Sequence, residues 1–260
     1  PRAHSSMLDS QKVDEQKTYF YNRLKKRYRH VWKYAKRVET NAFRVYHRDI
    51  PEIPFFVDWY DGHLHIAEYE RPHERTEEEH SQWVDTMVET AARALTVPID
   101  RVFVKQRKRL TGLDQYDVVA RSGYCINVEE HGLLFRVNLS DYIDTGLFLD
   151  HRDLRLYVAK GAGGKRVLNL FAYTGSFTVY IAAAGANSSV SIDLSNTYLE
   201  WARDNMKLNA LYDTRHEFRR GDVDSEIERL KQEGRRFDLI ILDPPSFSNS
   251  KRMNSTFDVQ

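Results

Sequence analysis

A glycine and two aspartates follow successive strand-like stretches in the second half of the sequence. Gly175 lies where "RVLNLF" turns into a helix, Asp193 ends "SSVSID", and Asp222 follows "HEFRR". Open α/β sheets bind ligands at the carboxyl ends of their strands, so we expect these residues to line one pocket. A tight glycine lets the backbone approach a ligand closely. Asp193 is placed to accept hydrogen bonds from both hydroxyls of a ribose, and Asp222 to accept from an adenine amine.

This set predicts a nucleoside pocket that lacks a pyrophosphate site. The second glycine of G-x-G-x-x-G is missing after the first strand, so an NAD site is the weaker alternative. S-adenosylmethionine is the ligand that the combination favours. Taken singly, each residue is more simply explained as a helix cap or a loop acid, and it is their order at successive strand ends that favours a cofactor site.

A further strand leaves its sheet through an acid and two prolines, in "IILDPPSFSNSKR" at 240–252. The prolines Pro244 and Pro245 fix φ near about −65° and cannot donate to a ladder, so the strand must end there and the loop is stiff. The stiff loop thereby holds Asp243 at the carboxyl ends of the strands, where the other candidate residues are expected.

Two basic clusters stand out in a chain whose 39 basic and 38 acidic residues nearly cancel. In "RLKKRYRHVWKYAKR" (23–37), Leu24, Tyr28 and Ala35 belong to an apolar stripe at helical spacing, which leaves Lys25, Lys26, Arg29 and Lys33 facing outward. The second cluster, "KQRKR" (105–109), includes Arg107 and Arg109. Both clusters suit nucleic-acid phosphates. The equal alternative is a solvated face balanced by acids such as those at 77–79.

The first 140 residues predict a small α+β domain. A polar linker over 1–21 precedes the basic helix, and a later helix carries an apolar stripe from Trp83 to Leu95. Strand-like stretches at 54–60 and 63–70 are joined by Asp61-Gly62, and a second hairpin turns at His131-Gly132.

From residue 141 to 260 the pattern alternates between strand and helix, which favours a parallel sheet of crossover units. Strands are expected at 166–171, 188–193, near 216–220 and at 237–242, with helices between them.

Composition limits the class of protein. With 260 residues and 41% hydrophobic residues the chain can bury one large or two ordinary cores. No run approaches about 18 apolar residues and the N-terminus lacks a secretion signal, so a cytoplasmic protein without a membrane partner is expected. The single Cys125 argues against a disulfide framework and a multi-cysteine metal site, and no metal is expected. Because the first residue is proline, a piece of a longer protein is expected.

Several stretches resemble class I RNA methyltransferases of the bacterial large ribosomal subunit, among them those that methylate N7 of guanine in 23S rRNA. They are "TGLFLDHR" (145–152), "LNLFAYTGSFTV" (168–179), "SIDLSNTYLEWARDNMKLN" (191–209) and "LDPPSFSNSKRM" (242–253). The resemblance implies an α/β fold, a class I (Rossmann-like) S-adenosylmethionine-dependent methyltransferase domain preceded by a small α+β RNA-binding domain. It also implies sheet strands beyond Gln260, a 23S rRNA or large-subunit precursor as partner, and an upstream half with a THUMP domain and a second methyltransferase in bifunctional members.

The resemblance also assigns roles to residues. Asp193 would hold the ribose, and Asp222 with Val223 the adenine. The methionine side would be lined by Asn169, Phe171, Tyr173, Thr174, Gly175 and Ser176. Thr145, Phe148, Asp150 and Arg152 are secondary candidates from a segment folded across the cofactor, with Arg152 paired to the methionine carboxylate. For Phe148 alone, a core residue is the preferred explanation.

The implied reaction needs no base, because guanine N7 already presents a lone pair. The enzyme must hold a flipped or looped base in near-attack geometry. The predicted catalytic loop comprises Asp243, Pro244, Pro245 and Phe247, with Asp243 accepting from the N1–H and N2–H₂ edge and Phe247 stacking on the ring. Lys251 and Arg252 are predicted phosphate contacts.

Three alternatives stay open. A pyrimidine C5 methyltransferase of the same superfamily needs a cysteine nucleophile, and Cys125 is expected to be a core residue instead. An amine methyltransferase with an Asn-Pro-Pro-aromatic loop is less favoured because Asp243 replaces the asparagine. The third is a non-catalytic RNA-binding ribosome-assembly factor, which the basic clusters would serve equally well.

Overall fold

The structure is a computed structural model that describes residues 3–106, 122–245, 247–248 and 257–258. The chain divides into two compact units. The first comprises Pro1–Gly132 with Asn138–Thr145, and the second comprises Leu133–Val137 with Gly146–Gln260. The predicted boundary between residues 140 and 141 stays a prediction, because Leu133–Asn138 is shared between the units.

The first unit begins with a long helix, α1 (Ala3–Arg37), so the expectation of a linker over 1–21 is wrong. The helix starts early because its buried positions begin early. Gln16, Phe20 and Leu24 repeat at four-residue spacing and are buried, and Val13 packs against the same core. The Trp83 indole N–H donates to the Gln16 side-chain oxygen at 2.9 Å, which fixes this part of the helix.

Four strands form the sheet of the first unit in the order β1 (Ala42–His47), β2 (Phe55–Tyr60), β3 (His63–Glu68) and β4 (Val102–Gln106). The hairpin predicted at Asp61-Gly62 is confirmed, since both residues have positive φ, as a tight two-residue turn requires. Helix α2 (Glu77–Leu95) buries the predicted stripe and starts at a capping box between Thr76 and Glu79.

The second predicted hairpin is also confirmed. Strands β5 (Cys125–Glu130) and β6 (Leu133–Asn138) form a two-stranded sheet, and His131 and Gly132 both have positive φ. The expectation that Cys125 is a core residue is wrong, because its side chain is exposed.

In the second unit, helix α3 (Arg152–Lys160) precedes a four-stranded sheet with α/β alternation. The chain runs through β7 (Arg166–Leu170), α4 (Ser176–Ala183), β8 (Ser188–Asp193), α5 (Asn196–Leu208), β9 (His216–Arg220), α6 (Val223–Gln232) and β10 (Leu239–Leu242). The order across the sheet is β10-β7-β8-β9, and all neighbours are parallel. Leu170, Val190, Ile192 and Leu230 are among the buried core residues.

This order creates a topological switch point between β7 and β10. From β7 the chain crosses to β8 on one side, whereas β10 returns to the other side of β7. In open α/β sheets the crevice outside the carboxyl ends at such a point is where ligands bind. The register places Leu242 beside Leu170, so Asp243 emerges next to the segment that follows β7.

Beyond this sheet, Phe247–Ser248 (β11) and Phe257–Asp258 (β12) pair as antiparallel strands. Among the described residues no helix is long and apolar enough to cross a membrane. The same part of the chain contains no group of three or more His, Cys, Asp or Glu side chains able to hold a metal ion.

Candidate functional site

The segment after β7 has a backbone conformation that is uncommon for its residue types. Phe171, Tyr173 and Gly175 have φ of 58°, 53° and 72°, so every second residue lies in the left-handed region. For a non-glycine residue this costs about 1–3 kcal/mol, and such residues cluster at functional sites. The loop is fixed by hydrogen bonds that the Ala172 N–H donates to the Ile192 carbonyl and the Tyr173 N–H to Asp193, both at 2.9 Å.

Gly175 is required by close packing as well as by its φ. A Cβ at this position would lie 2.7 Å from the Ala202 Cβ on α5, far inside van der Waals contact. The neighbouring Thr174 is fully buried, and its hydroxyl donates to the Gly146 carbonyl at 2.5 Å. Asn205 donates its side-chain N–H to the Thr174 carbonyl at 2.9 Å. The predicted methionine-side loop is therefore held tightly against α5.

Gly146 extends this close packing to the "TGLFLDHR" stretch. Its φ is +101°, and a Cβ there would lie 2.3 Å from the Trp201 ring. The close packing of α5 against these two segments thus requires glycine at both 146 and 175, which belong to two different sequence motifs.

Asp193 lies at the carboxyl end of β8 and is largely withdrawn from water. Its two carboxylate oxygens accept backbone N–H groups of Tyr173 and Ser195, both at 2.9 Å. Burial raises the pKa of this carboxyl, and the backbone hydrogen bonds oppose part of that shift. A partly desolvated carboxylate gains from additional donors, which is what a pair of ribose hydroxyls would supply.

Asp222 is the N-cap of α6. Its Oδ2 accepts from the Ser225 backbone N–H and hydroxyl, both at 3.2 Å. The cap explanation considered from sequence is therefore observed, and it orients the carboxylate at the end of β9. The next residue, Val223, is buried and belongs to the core of the unit.

Asn169 is buried near the end of β7, just before the loop, and its side chain forms a hydrogen bond with α4. Its N–H donates to the Thr178 hydroxyl at 3.0 Å, and Thr178 shares a 2.7 Å hydrogen bond with Ser191. The network joins β7, α4 and β8. Ser176 is half-buried at the start of α4.

The secondary candidates lie in different places. Thr145 is buried in the first unit, where its hydroxyl shares a 2.9 Å hydrogen bond with the Tyr60 hydroxyl. Arg152 is the first residue of α3 in the second unit and is also buried. Their predicted roles at the cofactor are untested by this placement.

Asp243 follows β10 directly, with Pro244 half-buried and Pro245 exposed behind it. Phe247 begins β11, and its side chain lies outside the described part of the structure. The Oδ2 atom of Asp243 is 3.7 Å from Nδ1 of His151, a residue for which no role is predicted from sequence.

Aromatic side chains gather at the same end of the sheet. Phe148 lies 5.3 Å from Tyr173 and 5.7 Å from His151 between ring centres, and Tyr173 lies 4.7 Å from Tyr198. Phe148 is 38% exposed, so the expectation that it only seals the core is wrong. Tyr198 could have been found from sequence only by pairing the α5 motif with the loop after β7.

Four basic residues lie with Tyr21, Asn22 and His30 around an open depression on one side of α1. Of these four, Lys26, Arg29 and Lys33 are exposed, as predicted for outward-facing positions, and Lys25 is half-buried. Arg107, Arg109, Lys251 and Arg252 lie outside the described residues.

The second unit is thus a Rossmann-like α/β unit with a tight glycine loop and strand-end carboxylates around its switch point, the arrangement of a nucleoside-binding enzyme. The family described as "S-adenosylmethionine-dependent methyltransferase" matches residues 42–258. The chain belongs to this family, and S-adenosylmethionine is the cofactor of the family. The tight turn at Gly175 and the desolvated acceptor at Asp193 fit such a group.

Named relatives agree with this assignment. "Ribosomal RNA large subunit methyltransferase K" of Neisseria meningitidis is 47% identical over 243 residues, 94% of this chain and 69% of the relative. "Ribosomal RNA large subunit methyltransferase K/L" of Colwellia psychrerythraea is 43% identical over 246 residues, 95% of this chain and 34% of the relative. The chain therefore spans about two thirds of the first relative and about a third of the second.

A solved structure supports the fold. SMU.776, assigned as a methyltransferase and crystallised with SAH, superposes with a TM-score of 0.75 at 25% identity, over 93% of this chain and 60% of that one. The expected Rossmann-like methyltransferase fold is confirmed.

Proposed function

We propose that this chain methylates large-subunit ribosomal RNA at N7 of a guanine. The observation that carries the proposal is the position of Asp243, which emerges beside the Phe171–Gly175 loop at the switch point of the sheet. Methyl donor and target base must meet at one point, and these two segments flank the crevice in which this fold binds ligands. Ribosomal RNA as the substrate is supported by the name of the Neisseria relative.

The cofactor supplies the methyl group when bound. Asp193 would accept from the ribose hydroxyls, since its carboxylate is already desolvated and fixed by two backbone donors. Asp222 would accept from the adenine amine next to Val223. Asn169 and Thr174 are buried and act by fixing the loop whose backbone surrounds the methionine end, lined by Phe171, Tyr173, Gly175 and Ser176.

Asp243 would hold the target base. Its carboxylate is half-exposed, and a carboxylate accepts two parallel N–H donors, the pattern of the guanine N1–H and N2–H₂ edge. The negative charge also offsets positive charge that develops on the ring during transfer, whereas no proton has to leave N7 first. Pro244 and Pro245 keep the loop stiff, so little entropy is lost when the base is held. Phe247 is assigned to stacking on the base.

The basic face of α1 would bind the RNA backbone. Lys26, Arg29 and Lys33 are exposed along one side of a helix, with Lys25 beside them. Neutralising RNA phosphates in this way gives affinity that falls with salt. Arg107, Arg109, Lys251 and Arg252 are assigned the same kind of contact. A cytoplasmic site of action and a covalently linked upstream half with a THUMP domain belong to this proposal.

The test is methyl transfer from labelled S-adenosylmethionine to 23S rRNA that lacks its native methyl groups, with mass mapping of the modified nucleotide. We expect a methyl group on N7 of one guanine. A methyl on cytosine C5 would show the pyrimidine alternative. For Asp243→Ala and Phe247→Ala we expect turnover to fall by at least roughly tenfold, and wild-type turnover in both would refute the base pocket.

Isothermal titration with S-adenosylmethionine separates the enzyme from an assembly factor that retained only the fold. We expect the wild type to bind S-adenosylmethionine. The Asp193→Ala variant should bind it at least roughly tenfold more weakly, because hydrogen bonds to a charged group are lost. Asp224→Ala, at the exposed second residue of α6, is the matched control and should bind normally. No binding by the wild type would favour the assembly factor.

A further inference from the structure

His151 and Asp243 come together from distant parts of the second unit. His151 ends the short 3-10 helix Leu149–His151 that precedes α3, and Asp243 follows β10. Nδ1 of the imidazole lies 3.7 Å from Oδ2 of the carboxylate. The separation is about 0.5 Å beyond the usual hydrogen-bond range, a gap that a small rotation of either side chain closes.

The imidazole is held more firmly than the carboxylate. Its ring contacts those of Phe148 and Phe177, at centroid distances of 5.7 and 6.4 Å, and its backbone N–H donates to the Phe148 carbonyl at 3.2 Å. The His151 side chain is 31% exposed, against 50% for Asp243. The better-fixed partner therefore sets the orientation of the other.

We propose that His151 is a positioning residue that orients the Asp243 carboxylate toward the target base. It engages Oδ2 and leaves Oδ1 and the outer lone pairs for the base edge. An exposed carboxylate on a loop otherwise samples several rotamers, and it loses that rotamer entropy when it binds the base. If His151 fixes the carboxylate beforehand, this entropy cost no longer arises on binding and reaction. This inference rests on the proposed function of Asp243.

The experiment combines a double-mutant cycle with a conservative variant, in steady-state methyl transfer to unmethylated 23S rRNA by the full chain. His151→Phe keeps the aromatic contacts and removes the polar atoms, whereas His151→Gln keeps a side-chain donor. We expect His151→Phe to lower kcat roughly tenfold or more, the usual effect of losing one interaction with a charged group. His151→Gln should restore most of that loss. In an Asp243→Asn background, His151→Phe should lower kcat less than about twofold further.

Two measurements separate positioning from other roles. The dissociation constant of S-adenosylmethionine should stay within about twofold in both His151 variants, because their effect acts through Asp243. Urea unfolding identifies any loss of fold. Tyr157→Phe, on the following helix α3, is the control, since Tyr157 is 77% exposed.

Specific results would overturn the inference. Wild-type kcat in His151→Phe, an equal loss in the Asp243 and Asp243→Asn backgrounds, or a loss confined to cofactor affinity would each refute the positioning role. If the wild type binds S-adenosylmethionine but methylates no ribosomal RNA, the proposed function fails, and this inference fails with it. If the wild type is active and the effects of the His151 and Asp243 variants are additive, this inference is refuted and the proposed function is not.

Discussion

Substituting Gly175 by alanine should destabilise the second unit by about 2–5 kcal/mol. The left-handed backbone costs about 1–2 kcal/mol for any residue with a Cβ. The new methyl group would also lie 2.7 Å from the Ala202 Cβ, so the loop or α5 must move. Overpacking of this kind costs typically about 1–3 kcal/mol. The two costs together give the expected total.

Gly164 offers a matched control that separates the two costs. Its φ is +71°, against +72° for Gly175, but nothing lies within 4 Å of a Cβ built there. Gly164→Ala should therefore carry the backbone cost alone, and the smaller entropy of the unfolded chain affects both variants equally. The difference between the two variants in the free energy of unfolding, measured in urea, should be about 1–3 kcal/mol.

A compensating change sharpens the test. Ala202→Gly costs about 1 kcal/mol by itself, as glycine does inside a helix, but it removes the atom that the new methyl group meets. The double variant Gly175→Ala with Ala202→Gly should be destabilised by about 1–3 kcal/mol less than the sum of the two single effects. Equal destabilisation by Gly175→Ala and Gly164→Ala, with strict additivity in the double variant, would refute the close packing of loop and helix.

Three further outcomes are expected. Burial lowers the pKa of His65 to about 4, so the neutral ring stabilises the fold above the unfolded value of about 6.5, and this contribution is lost as pH falls from there. By about pH 5 the loss should reach roughly 2 kcal/mol in urea unfolding, and His65→Gln should flatten it. Thr76→Ala should cost about 1 kcal/mol through the lost cap of α2, whereas Thr86→Ala, half-buried inside the same helix and away from its cap, should cost little. Arg29→Gln should reduce the salt dependence of RNA binding by about one ion, and Lys12→Gln should not.

Much of the fold could be predicted because its signals are local. Asp61-Gly62 and His131-Gly132 specify tight turns through their own backbone preferences, and the stripe from Trp83 to Leu95 follows from helical spacing. The alternation of strands and helices after residue 165 likewise required no knowledge of distant contacts. The helix before residue 22 was missed because its polar composition concealed the spacing of Val13, Phe20 and Leu24.

The site was only partly predictable because it depends on which strands become neighbours. Asp193, Asp222 and Gly175 could be found as residues at strand ends, but only the pairing of β10 with β7 brings Asp243 beside the loop after β7. The contact between His151 and Asp243 depends on the same pairing. The hydrogen bond of Thr145 with Tyr60 is likewise a contact over 85 residues that no local pattern announces.

The left-handed residues Phe171 and Tyr173 have a practical consequence for anyone who seeks a more heat-resistant form of this enzyme. At Tyr173 a stability screen would favour glycine, because glycine relieves about 1–3 kcal/mol of backbone strain. At Phe171 the same change would also remove packing against the core. The change at Tyr173 would remove the aromatic ring beside Phe148 and Tyr198 and loosen the segment that is proposed to surround the cofactor. Selection for stability alone would therefore lead away from activity at this loop.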